Sequence, residues 1–158
     1  MTDFPIPNSW DRAGLEAIGF AGFVPFIGLD IETLPPRRGV YVVLRESVQR
    51  PAFMETNVIT RRRSYAVDRL EAKWLDGQTI VYVGMADPVD GLYGRLGDFS
   101  KQSSSHTGGR ALWQLVDAKD LVVAWVETPD HVAELVEKSY LRAFKAQFGQ
   151  YPFANWRL

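Results

Sequence analysis

Three stretches of this chain are apolar at almost every position, and each has the length of a strand. Val40 to Leu44, Thr79 to Val83 and Leu121 to Val126 are rich in β-branched and aromatic residues. That composition suits a pleated, buried surface, and the unbroken Val40 to Leu44 run suits a central strand. A helical period governs other segments. From Asn8 to Phe20 the apolar residues Trp10, Ala13, Leu15 and Ile18 recur at roughly helical spacing behind Asn8 or Ser9 as candidate cap. Gly19 to Phe26 carries glycines, a proline and three phenylalanines, which reads as a loop that must be packed. After the first strand comes a polar insertion, Glu46 to about Arg63, then a helix that Ser64 could cap, with Val67, Leu70 and Trp74 on one side. Asp76-Gly77 turns the chain into the second strand. Asp90 to Leu96 begins a short helix bearing Arg95, whose buried side is Leu92, Leu96 and Phe99. Ser103 to Gly109 reads as a connector, and Arg110 to Val116 as a further helix.

The last helix, His131 to Phe148, has Asp130 as its expected cap and Gly149 as its stop. Val132, Val136, Tyr140, Phe144 and Phe148 form an i, i+4 apolar ridge, while Glu134, Lys138, Arg142 and Lys145 form the charged face. Glu137 does not belong with them. Its neighbours one and two turns away are Ala133, Tyr140, Leu141 and Phe144. A carboxylate beside such a ridge loses hydration worth several kcal/mol unless a cation or hydrogen-bond donors replace the water.

Length and composition narrow the chemistry. The chain has 158 residues, 46% of them hydrophobic, enough for one domain with a real core. Residues 1–38 read as a helix and aromatic loop packed on a main domain, 39–158, that carries a basic insertion at about 46–77. With no cysteine and two histidines, any metal must be held mainly by oxygen. No stretch is apolar enough to cross a bilayer, and Met1 to Phe4 lacks the start of a signal peptide, so a cytoplasmic protein that does not meet the membrane is expected. The net charge of -1 argues against a protein that coats nucleic acid indiscriminately. The charge is nonetheless uneven: Arg37 to Trp74 holds nine basic residues and four acidic ones, which is compatible with a local phosphate-binding surface as well as with an ordinary solvated charge run.

Two short tyrosine motifs, Gly39-Val40-Tyr41 and Tyr82-Val83-Gly84, lie within the strand runs, and Arg95, Glu137 and Asn155 follow in order. With that set the chain, from Gly39 to Asn155, resembles the GIY-YIG nuclease superfamily, with Val in place of Ile in both motifs. The resemblance implies an α+β fold, a small, mainly antiparallel three-stranded sheet flanked by helices, and a one-metal site hydrolysing phosphodiester bonds of DNA or RNA. Glu137 would bind Mg²⁺ or Mn²⁺, Tyr41 would act as general base, Tyr82 would orient water or phosphate, Arg95 would neutralise transition-state charge, and Asn155 would fix geometry. Two positions depart from the family: Met85 stands where a Lys is common and Phe99 where a His is common. His106 and Arg110 are candidate substitutes, and Arg61, Arg62 and Arg63 in the insertion are candidate substrate contacts. The alternative reading is a catalytically silent nucleic-acid- or protein-binding module, which Met85 and Phe99 favour and the intact set of five opposes. A third is an interaction domain docking a protein partner, or a second copy, through Phe20 to Phe26.

Overall fold

The computed structural model describes residues 4–56, 64–87, 91–100 and 109–156. Its first helix, α1 (Arg12–Ala17), starts later than the candidate caps suggest: Asp11 is the N-cap, its carboxylate accepting the Gly14 N–H at 2.9 Å and the Ser9 hydroxyl at 2.8 Å. The next segment corrects the sequence reading. Ala21–Pro25 is not a packed loop but a strand, β1, paired antiparallel with β4 (Val122–Glu127). Phe20 and Phe26 at its ends are buried, so they do not form a free docking surface for a partner.

β2 (Gly39–Leu44) and β3 (Ile80–Ala86) complete the sheet, whose order is β1-β4-β2-β3 with every neighbour antiparallel. The architecture is therefore α+β, with four strands among the described residues where three were expected. All six residues of β2 are buried, because this inner strand is covered on both faces. Val40, Val42 and Leu44 point to one core, with Trp10, Leu15 and the α4 (Ala133–Phe148) residues Val136, Tyr140 and Phe144. Tyr41 and Val43 point to the other, shared with Leu92, Leu96 and Phe99 of α3 (Gly91–Ser100) and with Leu70 and Trp74 from α2 (Val67–Lys73) and its C-cap. The period of two along one strand thus builds two cores.

The caps differ from expectation in detail. Ala66 is the N-cap of α2 and Val132 that of α4, neither with a side-chain cap bond, while Gly149 ends α4 in the left-handed conformation as its position implied. Arg110–Gln114 is a 3₁₀ turn, shorter than the helix expected there. Among the described residues no helix is long and apolar enough to cross a membrane.

Part of the basic stretch is committed to the fold. Arg45 is buried, sits 2.9 Å from Asp117, and also donates to the Ser47 and Gln49 carbonyls. Arg50 meets Asp76 at 3.1 Å, Arg37 reaches Glu127 at 3.7 Å, and Arg38 donates to the carbonyls of Thr128 and Pro129. Four of the nine basic residues counted along the sequence are therefore met by acidic or carbonyl groups.

Candidate active site

Strand register decides where the two tyrosines meet. Tyr41 on β2 lies opposite Gly84 on β3, and Val43 lies opposite Tyr82, so the phenols are diagonal neighbours on one face of the sheet. Their ring centroids are 6.2 Å apart. The Tyr41 ring leans across position 84 so closely that a Cβ there would overlap it. Glycine at 84 is thus required by side-chain approach, and this is the physical content of the second tyrosine motif. Phe99 underlies both phenols, 6.1 Å from Tyr41 and 5.3 Å edge-on to Tyr82. It is fully buried, so the position where the resembling family often has His holds the site's aromatic floor.

Helix spacing delivers the cation. Arg95 lies one turn before Phe99 on α3, and its guanidinium lines the same cleft as Tyr41 and Tyr82 and favours the ionised form of each phenol. α4 supplies Glu137 from the opposite core. Tyr41, Tyr82, Met85, Asp87, Arg95 and Glu137 together line one cleft of about 310 Å³.

Burial sets the electrostatics. It raises the Tyr41 hydroxyl well above the usual phenol range, with the neighbouring Tyr82 adding to the effect and Arg95 opposing it. Tyr82 is raised for the same first reason and then by the charge of Glu137. Both are neutral phenols in the resting cleft. Glu137 is half-buried, and loss of hydration, followed by the charge of Glu134, pushes its carboxyl up to about 7; Lys138 and Arg95 offset only part of this. The helix-wheel anomaly of Glu137 is therefore a real electrostatic cost in the folded protein.

The donor set suits a hard, hydrated cation. Glu137 and Asp87 bring carboxylates to the same cleft, and no group of three or more His, Asp or Glu side chains that could hold a metal is present among the described residues. A Mg²⁺-like ion, which keeps several waters and takes one or two protein carboxylates, fits such a site; an ion needing a full cage of protein ligands does not. Asp87 was passed over in the sequence, and the only signal for it was its position just past the end of the second tyrosine strand.

Asn155 lies apart from the cleft lining and acts on its backbone. Its Oδ1 accepts the Val83 N–H at 3.0 Å, and its Nδ2 donates to the Val83 carbonyl at 2.9 Å. The neighbouring Ala154 N–H reaches the Val81 carbonyl at 2.8 Å. The chain end thus covers the outer edge of β3 between the two residues, Tyr82 and Gly84, that shape the cleft. Asn155→Ala would strand both backbone groups of buried Val83, and a loss of about 2–4 kcal/mol in urea unfolding is expected; an unchanged midpoint would show that water replaces the amide without loss.

Arg110 also lies outside the cleft lining, its guanidinium over the Tyr65 ring at 4.6 Å. Arg61, Arg62, Arg63 and His106 lie outside the described residues. Comparison with protein-family models, with curated proteins and with solved structures gives no match to this chain.

Proposed function

We propose that the protein is a divalent-metal-dependent phosphodiester hydrolase acting on nucleic acid, most simply an endonuclease on DNA, with a GIY-YIG-type site. One observation carries the reading. Two phenols, a guanidinium and a desolvated carboxylate, drawn from β2, β3, α3 and α4, line a single cleft. Glu137, with Asp87 beside it, would hold Mg²⁺ or Mn²⁺, and the bound ion would supply Lewis-acid polarisation of the phosphate and a more acidic water.

The chain's own groups do the rest. Arg95 faces the negative charge that grows on the phosphoryl oxygens, a contribution of the order of 10²–10³ in rate for one well-placed donor. Because burial keeps Tyr41 protonated, it serves the attacking water as a hydrogen-bond partner and proton relay, not as a resting phenolate base. Tyr82, the diagonal neighbour of Tyr41, orients the same network. Asn155 keeps Tyr82 and Gly84 in register through Val83.

A silent binding module is favoured by one feature: Met85 lines the cleft where the resembling family often carries Lys, removing a phosphate-facing cation. The two readings separate in one assay. Purified protein with Mg²⁺ or Mn²⁺ is expected to cleave at least one of single-stranded, duplex and branched DNA and RNA, and Tyr41→Phe to slow that cleavage about a hundredfold. Binding without cleavage under every condition selects the silent module, and full activity in Tyr41→Phe removes the relay.

A further inference from the structure

A stack of arginine and aromatic side chains is tied to the strand that carries Tyr82. Tyr65 and Trp156 lie face to face with ring centroids 3.8 Å apart and an interplanar angle of 24°. Arg110 lies over Tyr65 at 4.6 Å, and Arg69 lies over Trp156 at 5.0 Å and Tyr65 at 5.7 Å. Arg69 is exposed and the other three are half-buried.

Two buried amides hold this surface feature rigid. Gln114 accepts the Tyr65 N–H at 2.8 Å and donates to the Tyr65 carbonyl at 2.9 Å. Asn155, the residue before Trp156, grips Val83 on both its backbone groups, and Val83 directly follows Tyr82. Gly109, the residue before Arg110, is packed so tightly that a Cβ there would stand 2.7 Å from Phe99 and 3.1 Å from Tyr82. The stack is thereby fixed relative to the floor and one wall of the cleft.

Arg69 also stands out electrostatically. Arg12, Arg37, Arg45 and Arg50 each face a carboxylate, whereas among the described residues the Arg69 guanidinium meets only aromatic rings. The exposed Arg69 guanidinium keeps its full charge beside the rings, and its fork of N–H donors matches phosphate oxygens.

We propose that Arg69 and Arg110, held on the Tyr65–Trp156 stack, form a second contact site for the nucleic-acid backbone, binding phosphates that flank the one in the cleft. This rests on the nucleic-acid reading of the cleft and adds to it the surface along which the strand runs. Repeated phosphates, which two separate cations can grip at once, are the ligand chemistry that such an arrangement recognises.

The test is fluorescence anisotropy of a labelled short DNA duplex bound by the full chain in EDTA, over a series of salt concentrations. Arg69→Ala and Arg110→Ala are each expected to weaken binding at low salt about five- to tenfold and to lower the slope of log affinity against log salt by about 0.7–0.9. Arg69→Lys, which keeps the charge, is expected to retain the slope, and melting curves in the same buffers check that each variant is folded. Parental slope in both folded alanine variants overturns the second contact site while leaving the cleft reading intact. Absence of salt-dependent binding by the parent chain overturns both.

Discussion

Glu137→Gln is expected to give a protein that no longer cleaves phosphodiesters and yet is more stable than the wild type above neutral pH. The two effects have one cause. In the folded chain the Glu137 carboxyl is raised from 4.5 to about 7, chiefly because burial removes water that Arg95 and Lys138 do not replace. The native state therefore holds this proton more tightly than the unfolded chain does. Its stabilising contribution is complete below the unfolded value of 4.5 and is lost as pH rises through about 7. At about 1.4 kcal/mol per pKa unit the ceiling is about 3 kcal/mol, and solvent access to a half-buried side chain reduces it to about 1–2 kcal/mol.

Gln keeps the shape and carries no titration, so its variant should lose this slope. Urea unfolding at about pH 5 and about pH 8 in EDTA should show the wild type losing 1–2 kcal/mol more than Glu137→Gln, by about the integrated linkage of one group. Mg²⁺ at the higher pH should then stabilise the wild type by mass action and leave the variant unmoved. Cleavage should fall by about a thousandfold or more, in the upper range for loss of a group that stabilises transition-state charge. Parallel pH profiles for the two proteins would mean that Glu137 is better solvated than its surroundings indicate.

Gly84→Ala is expected to destabilise the fold and disable the cleft together. The added Cβ would occupy the place of the Tyr41 ring, which is buried and backed by Tyr82 and Phe99, so relief requires moving a core residue. Overpacking of this kind costs about 3 kcal/mol, and the displaced phenol would leave the cleft without its relay. Gly97→Ala is the matched control: it lies within α3, and among the described residues its Cβ would meet only Ile31, at 3.5 Å. Gain of helix propensity there should stabilise by about 0.5–1 kcal/mol. Thermal unfolding of the pair measures both, and a Gly84→Ala protein as stable as the wild type would refute the close approach of Tyr41.

The same residues show what the chain disclosed before its fold was known. The runs around Tyr41 and Tyr82 announced strands because burial on both faces leaves no polar position, although of the two only β2 is an inner strand, and the wheel of α4 exposed Glu137 because one carboxylate sits beside an apolar ridge. Strand β1 stayed hidden: Gly19, Gly22 and Pro25 argue against a strand by propensity, yet an edge strand tolerates proline, and a register shift between Gly22 and Val24 accommodates Phe23 at φ 56°. Charge counting between Arg37 and Trp74 could not show which cations the fold engages, because the partners are remote, Arg45 finding Asp117 across 72 residues. Asn155 appeared as a site residue from its place in a motif, while its hydrogen bonds go to a strand edge, a role that only pairing geometry reveals. Asp87 carried no periodic or motif signal at all, since what brings it to the cleft is the end of β3.

The central claim is that the cleft lined by Tyr41, Tyr82, Arg95 and Glu137 hydrolyses phosphodiesters with a divalent cation held at Glu137. Single-turnover cleavage of an end-labelled nucleic acid, titrated with Mg²⁺ for the wild type and for Glu137→Gln, tests it most directly. The account predicts saturable, Mg²⁺-dependent cleavage by the wild type and none above background by the variant. Equal cleavage by the two proteins would contradict it.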